Sequence, residues 1–212
     1  MTRILVINPN SSAAVTSGMR DALAGFRGVD FDCVDIPSSP ATIMTEEDVA
    51  RAGLRVADRI AADPDADAYV IACFSDPGLD LARSLTSKPV IGIQEAGILS
   101  ALARADRFGI VALGPKSVPR HIRKMRTMGV LGRLAGELDL GGVSAEDAGR
   151  SDTVFARTLE IGAQLRDVGA GALVPGCAGF APRKVALERA LGIVVIDPVQ
   201  AAAAMALGSV QP

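Results

Sequence analysis

Displacing the chain by 104 positions lays one half of it on the other. Arg3 falls on Arg107, Ala68 on Ala172, Val70 on Val174, Cys73 on Cys177, Ala82 on Ala186 and Val90 on Val194. Each half then reads in one order: strand, helical region, strand ending in cysteine, helix, strand. Apolar strand runs resemble one another by chance, but two cysteines in register, each at the carboxyl end of a strand, are a stronger coincidence. The repeat predicts an α/β chain of two similar lobes related by a pseudo-twofold axis. Each lobe is expected to be a mostly parallel sheet flanked by helices, with the active site in the cleft between them. The lobes are expected over residues 1–97 and 98–212, with room for a C-terminal helix to pack on the other lobe.

The local pattern agrees. Short continuous apolar runs at 2–7, 29–36, 68–73, 90–93, 108–113, 170–175 and 193–196 read as strands buried on both faces, the mark of a parallel sheet. Helices are expected over 13–24, 45–62, 77–85, 95–104, 117–128, 153–168, 182–191 and 199–207. Ser12 and Thr45 stand where N-caps are needed, and Glu46, Glu47 and Asp48 place negative charge in a first turn. No element is assigned between 128 and 153, and no low-complexity linker interrupts the chain.

Composition narrows the function. At 212 residues, 49% hydrophobic and 22% charged, the chain is long and apolar enough to bury a core. A net charge of -2 gives no bulk attraction to nucleic acid or an anionic membrane. Aromatic residues at 3%, without tryptophan, argue against base-stacking surfaces. No apolar run approaches the roughly 20 residues of a membrane helix, and the N-terminal apolar stretch is too short for a signal peptide. Three widely spaced cysteines suit neither a disulfide framework nor a zinc site, so a reducing cytoplasm is expected. A small-molecule substrate and a homo-oligomer are expected; nucleic acid, membrane, metal and cofactor are not.

Ligands of open parallel sheets bind beyond the carboxyl ends of the strands. Cys73 and Cys177 both end strands and both precede loops that start helices, where backbone N–H groups and the macrodipole would lower a thiol pKa. Across a pseudo-twofold cleft, two such thiols suit one reaction. A thiolate removes a proton from one face of a carbon, and a thiol returns one to the other face. Backbone N–H groups of Ser75, Ala178 and Gly179 would stabilise the oxyanion formed between the two steps. Cys33, inside a strand and without a counterpart, reads as core packing.

These segments carry a resemblance. Asn8-Pro9-Asn10-Ser11-Ser12, Ala72-Cys73-Phe74-Ser75-Asp76-Pro77-Gly78-Leu79 and Pro89-Val90-Ile91-Gly92-Ile93 with Glu95-Ala96 resemble the hydantoin/allantoin racemase branch of the aspartate/glutamate racemase superfamily. Gly176-Cys177-Ala178-Gly179 and Asp197-Pro198-Val199 match it too. The resemblance spans about residues 3 to 207. It implies racemisation without a cofactor, by Cys73 and Cys177 as a two-base pair, between paired α/β lobes. It also implies that Asn10, Thr42, Ile43, Phe74, Ser75, Ser117, Ala178 and Gly179 contact the substrate. Where many members carry Pro-x-Ser-Ile-Glu-Gly, this chain has Pro40-Ala41-Thr42-Ile43-Met44-Thr45. Asn10 and Ser117 also fit purely local turn and capping roles.

Other signals are set aside. Gly109–Gly114 with Pro115-Lys116-Ser117 is not a phosphate loop, because proline interrupts the required Gly-Lys-Ser. Gly169, Gly171 and Gly176 lack dinucleotide-binding spacing. The only histidine, His121, lies with Arg120, Arg123, Lys124 and Arg126 on a basic helix expected to be a solvated face. Two alternatives to a racemase of cyclic ureides stay open: an amino-acid racemase or cofactor-free decarboxylase of the same superfamily, and a non-enzymatic binding module. An acidic amino-acid substrate would need a cation near the cleft. The cleft loops supply none, with Lys116 or Arg183 the cations within reach.

Overall fold

The computed structural model describes residues 1–210. In chain order the elements are β1 (Thr2–Asn8), α1 (Ala13–Leu23), β2 (Val29–Asp35), α2 (Glu46–Ala61), β3 (Ala68–Ile71), α3 (Leu79–Leu85), β4 (Val90–Gly92) and α4 (Ile93–Leu102). They continue with β5 (Phe108–Ala112), α5 (Val118–Thr127), β6 (Leu134–Asp139), α6 (Ala145–Arg150), α7 (Asp152–Asp167), β7 (Ala172–Pro175), α8 (Lys184–Leu191), β8 (Val194–Val195) and α9 (Pro198–Val210). Two four-stranded sheets form, in the orders β2-β1-β3-β4 and β6-β5-β7-β8. Every strand pair is parallel. The two orders are identical under the repeat.

Side-chain alternation along the strands divides the apolar interior in three. Ile4 and Val6 of β1, Ala68 and Val70 of β3, Phe108 and Ile110 of β5, and Ala172 and Val174 of β7 face one shared central core. The intervening Leu5, Ile7, Tyr69 and Ile71 face outward under Val56 and Ile60 of α2 and Leu79 of α3. Val111 and Leu173 do the same under Ile161 and Leu165 of α7 and Leu187 of α8. A strand buried on both faces needs apolar residues at successive positions, which is why these runs do not alternate with polar residues.

Helix α9 packs on α4 and also on β1, β3 and β4 of the first sheet, while α4 touches β7 of the second. Helices from each half therefore reach the other half's sheet. Residue 97 falls inside α4.

Several starts and stops follow local chemistry. Ser12 caps α1 by accepting from Val15 N–H, and Thr45 caps α2 in a reciprocal box with Asp48. Helix α3 starts at Leu79 rather than 77, because Gly78 takes the left-handed conformation, φ 71°. A Cβ there would also lie 2.6 Å from the Gly53 carbonyl oxygen, so only glycine lets α2 and α3 approach.

Between 128 and 153, where the sequence pattern predicts no element, the chain forms β6 and α6. The run Leu134–Asp139 contains no β-branched residue and forms a half-exposed edge strand, so neither composition nor a full apolar run marks it. The repeat does mark it, since 29–35 displaced by 104 gives 133–139.

Candidate active site

In each sheet the chain leaves the first central strand toward one edge and returns to the second central strand beside it, so β1/β3 and β5/β7 are topological switch points. Loops at the carboxyl ends of such strands diverge and leave a crevice. The loops after β1, β3, β5 and β7 bring Asn10, Cys73, Ser117 and Cys177 to one cleft, which encloses about 410 Å³ of non-atom space including its open mouth. Thr42 and Ile43, Phe74 and Ser75, and Ala178 also line it. Of the residues singled out in the sequence, Gly179 alone does not. Its N–H donates to Cys177 Sγ at 3.3 Å, so it acts on the thiol and is not free for a substrate oxyanion.

Both thiols are free and half-buried. The sequence expectation of lowered thiol pKa values is overturned. Burial pushes Cys73 up to about 11, with Ser75 and Arg120 opposing the shift. Burial pushes Cys177 up to about 12; the Gly179 N–H opposes, and the Cys73 thiolate adds to the rise. Desolvation of a compact thiolate outweighs two or three nearby dipoles. Cys33 is buried in the central core, as its strand position implies.

The remaining cleft residues are held by specific bonds. Asn10 Oδ1 accepts from Asn8 Nδ2 and from Ser12 N–H, both at 2.8 Å, which fixes its amide orientation and leaves Nδ2 without a protein partner among the described residues. Thr42 Oγ1 accepts from Ala145 N–H of the other half at 3.1 Å. Ser117 does not cap α5 with its side chain. Its hydroxyl instead accepts from Arg120 Nη2 at 2.9 Å.

The Cys73 loop is braced by Asp76, which sits at φ 42°. Its carboxylate accepts from Gln94 N–H at 2.8 Å and Glu95 N–H at 3.0 Å at the start of α4, and its own N–H donates to Cys73 O. Burial pushes Asp76 up to about 6, against the Lys124 ammonium and these two N–H groups.

The expected solvated face of α5 is half wrong. Arg123 and Arg126 are exposed, but Arg120 is 7% exposed and His121 1%, and both line the cleft. His121 Nδ1 meets Glu137 Oε1 of β6 at 2.5 Å, and the ring packs edge-on against Phe74. Glu137 Oε2 is buried without a hydrogen-bond partner among the described residues. Arg120 reaches Ser75 and Met44 of the first half. Lys116 lies in a neighbouring depression, and Arg183 is tied to Gly149, Arg150 and Asp152, so neither expected cation enters the cleft. The basic composition of α5 hid its inner face. The spacing of Ser117, His121 and Met125 at i, i+4 was the signal that could have found it.

Among the described residues, no group of three or more His, Cys, Asp or Glu is placed to hold a metal ion. No helix among them is long and apolar enough to cross a membrane.

Paired parallel sheets with a thiol-lined cleft at their switch points define a bilobal α/β enzyme. The Asp/Glu/hydantoin racemase family matches residues 4–206. Hydantoin racemases of Paenarthrobacter aurescens and Rhizobium meliloti are each 36% identical, covering 96% of this chain and 89% and 86% of theirs. The structure of allantoin racemase from Klebsiella pneumoniae superposes with a TM-score of 0.91 at 32% identity, over 98% of this chain and 87% of that one. The chain belongs to the Asp/Glu/hydantoin racemase family, in its hydantoin/allantoin branch, and is a racemase.

Proposed function

We propose that this racemase inverts the ring stereocentre of a 5-substituted hydantoin or of allantoin by a two-base mechanism with Cys73 and Cys177, without a cofactor. The observation that carries it is the meeting of two free, half-buried thiols at one cleft, each from the equivalent strand end of its own half. The names of the relatives support the substrate class. In one direction a thiolate takes the proton from the ring carbon, and the C–H electron pair moves to the adjacent carbonyl oxygen as an enolate. The opposite thiol then delivers its proton to the other face and becomes the thiolate. One proton enters and one leaves, so neither oxidant nor metal is required by the balance. The Asn10 amide and the Ala178 N–H are the donors assigned to the ring carbonyls.

Arg120 bears on the amino-acid alternative, because it supplies the cation the loops lack. Yet Nε donates to Ser75 Oγ, Nη1 to Met44 O and Lys116 O, and Nη2 to Ser117 Oγ. Four of its five N–H donors are taken. No two-pronged grip on a substrate carboxylate remains, which favours the neutral ring. A homo-oligomer in a reducing cytoplasm completes the reading. Leu54 of α2 and Leu81 and Leu85 of α3 expose apolar side chains on two helices that pack together, a surface suited to a second copy.

Single enantiomers of 5-substituted hydantoins, allantoin, Asp and Glu, followed by loss of optical rotation, test the substrate. In deuterated water, one single Cys→Ser variant is expected to exchange the α-proton of only the L form, and the other of only the D form. Equal exchange of both forms by one variant would mean a single base. Cys73→Ala and Cys177→Ala should each abolish racemisation in a folded protein; near-normal activity in both would refute the pair.

A further inference from the structure

The two halves are equivalent in fold but not in charge around their thiols. Arg120 is a buried guanidinium with no carboxylate within ion-pair distance among the described residues. The carboxylates that favour its charge are engaged elsewhere: Glu46 pairs with Arg123 at 2.6 Å, and Asp48 accepts from Met44 and Thr45 N–H in the α2 cap. A buried cation without a counter-ion is costly unless an anion forms beside it. Cys73 lines the same cleft as Arg120 and is the group there that can become such an anion.

The geometry links the two. Arg120 Nε–H donates to Ser75 Oγ at 2.7 Å, and the Ser75 hydroxyl and N–H both favour the Cys73 thiolate. With its oxygen accepting from Arg120, the Ser75 hydroxyl keeps its proton free to donate toward Cys73, two residues back in the same loop. A thiolate formed at Cys73 would meet a hydroxyl polarised by a full positive charge. Of the other charged groups, Asp76 opposes the thiolate, and its charge is offset by Lys124. Around Cys177 the arrangement is poorer. It has the Gly179 N–H, no cation acting on it, and the Cys73 sulfur as its charged neighbour.

We propose that Arg120, acting through Ser75, is the positioning residue that makes Cys73 the first of the two thiols to ionise, so that in the active form of the free enzyme Cys73 carries the charge and Cys177 keeps the proton. This deepens the two-base reading and rests on it. This active form accepts directly the enantiomer whose α-hydrogen faces Cys73. After turnover Cys73 holds the proton and Cys177 the charge, and the starting form returns when that proton moves from Cys73 to Cys177, by solvent exchange or by turnover of the other enantiomer. Arg120 also ties Met44 of the first half to α5 of the second, so the same guanidinium holds the cleft walls in register.

Alkylation by iodoacetamide without substrate, mapped by mass spectrometry across pH, reads each thiol separately. The alkylation midpoint of Cys73 should lie below that of Cys177. Arg120→Met should raise the Cys73 midpoint by about one pH unit, slowing its alkylation about tenfold at fixed pH, and leave the Cys177 midpoint in place. Arg120→Lys, which keeps the charge but loses the planar fork, should fall between. A merely structural role would move both thiols together or neither. If the wild-type midpoints coincide or stand in the reverse order, the proposal is overturned, whether or not the variants fold. Because no turnover is involved, this outcome is separate from the loss of racemisation in Cys73→Ala and Cys177→Ala that tests the pair itself.

Discussion

Asp76 shows how closely the thiol's surroundings are fitted at the scale of one residue. Its carboxylate lies where a Cβ on Gly92 would stand, 2.3 Å from Asp76 Cγ. Glycine at 92 is therefore required by close approach, since its backbone is ordinary extended chain. Gly92→Ala should push the carboxylate off the start of α4, cost about 2–3 kcal/mol in urea unfolding, and lower activity by displacing the loop that carries Cys73. Gly25→Ala, with nothing within 4 Å of the new methyl, should stay within about 0.5 kcal/mol. Similar losses at both sites would mean that crowding against Asp76 is not what matters. A basic run does not say which of its cations face inward, and Arg120 could be placed only once the Ser75 and Met44 loops stood opposite it.

At the scale of elements, the caps were legible because their chemistry is local. Thr45 Oγ1 accepts from Asp48 N–H at 3.1 Å, and Asp48 Oδ2 accepts from Thr45 N–H at 2.8 Å and Met44 N–H at 3.1 Å. The box fixes the loop whose Met44 carbonyl receives Arg120. Thr45→Ala should cost about 1 kcal/mol in chemical unfolding and reduce racemisation without abolishing it. An unchanged unfolding midpoint would show that Asp48 holds the helix start alone. Strand β6 makes the opposite case. Its pairing with β5 determines it, and Leu134–Asp139 has no pattern of its own that requires a strand.

The whole molecule sets the working pH of the pair. The reaction needs one thiolate and one thiol together. Both thiols are raised, Cys73 to about 11 and Cys177 to about 12. Below these values most molecules hold both protons, so the active fraction grows as pH rises and falls only when the second thiol ionises. Between about pH 7 and 10, log kcat/KM should climb with a slope near +1 and show no descending limb, as followed by optical rotation. A plateau reached below pH 8 would mean that burial does not govern these thiols. What the sequence determined by itself were properties carried by short stretches or by their repetition: apolar runs, helix caps, two parallel lobes and a cysteine at each matching strand end. A 104-residue repeat must fold twice alike, and local hydrogen bonds and apolar periodicity act over a few residues. Tertiary structure alone decided which face of α5 turns inward, how α4 and α9 reach across to the opposite sheets, and how far each thiol is desolvated. Those depend on groups up to about a hundred residues away, such as Arg120 against Met44 and Ser75 or Thr42 against Ala145, because burial and charge are set by whatever the fold packs alongside.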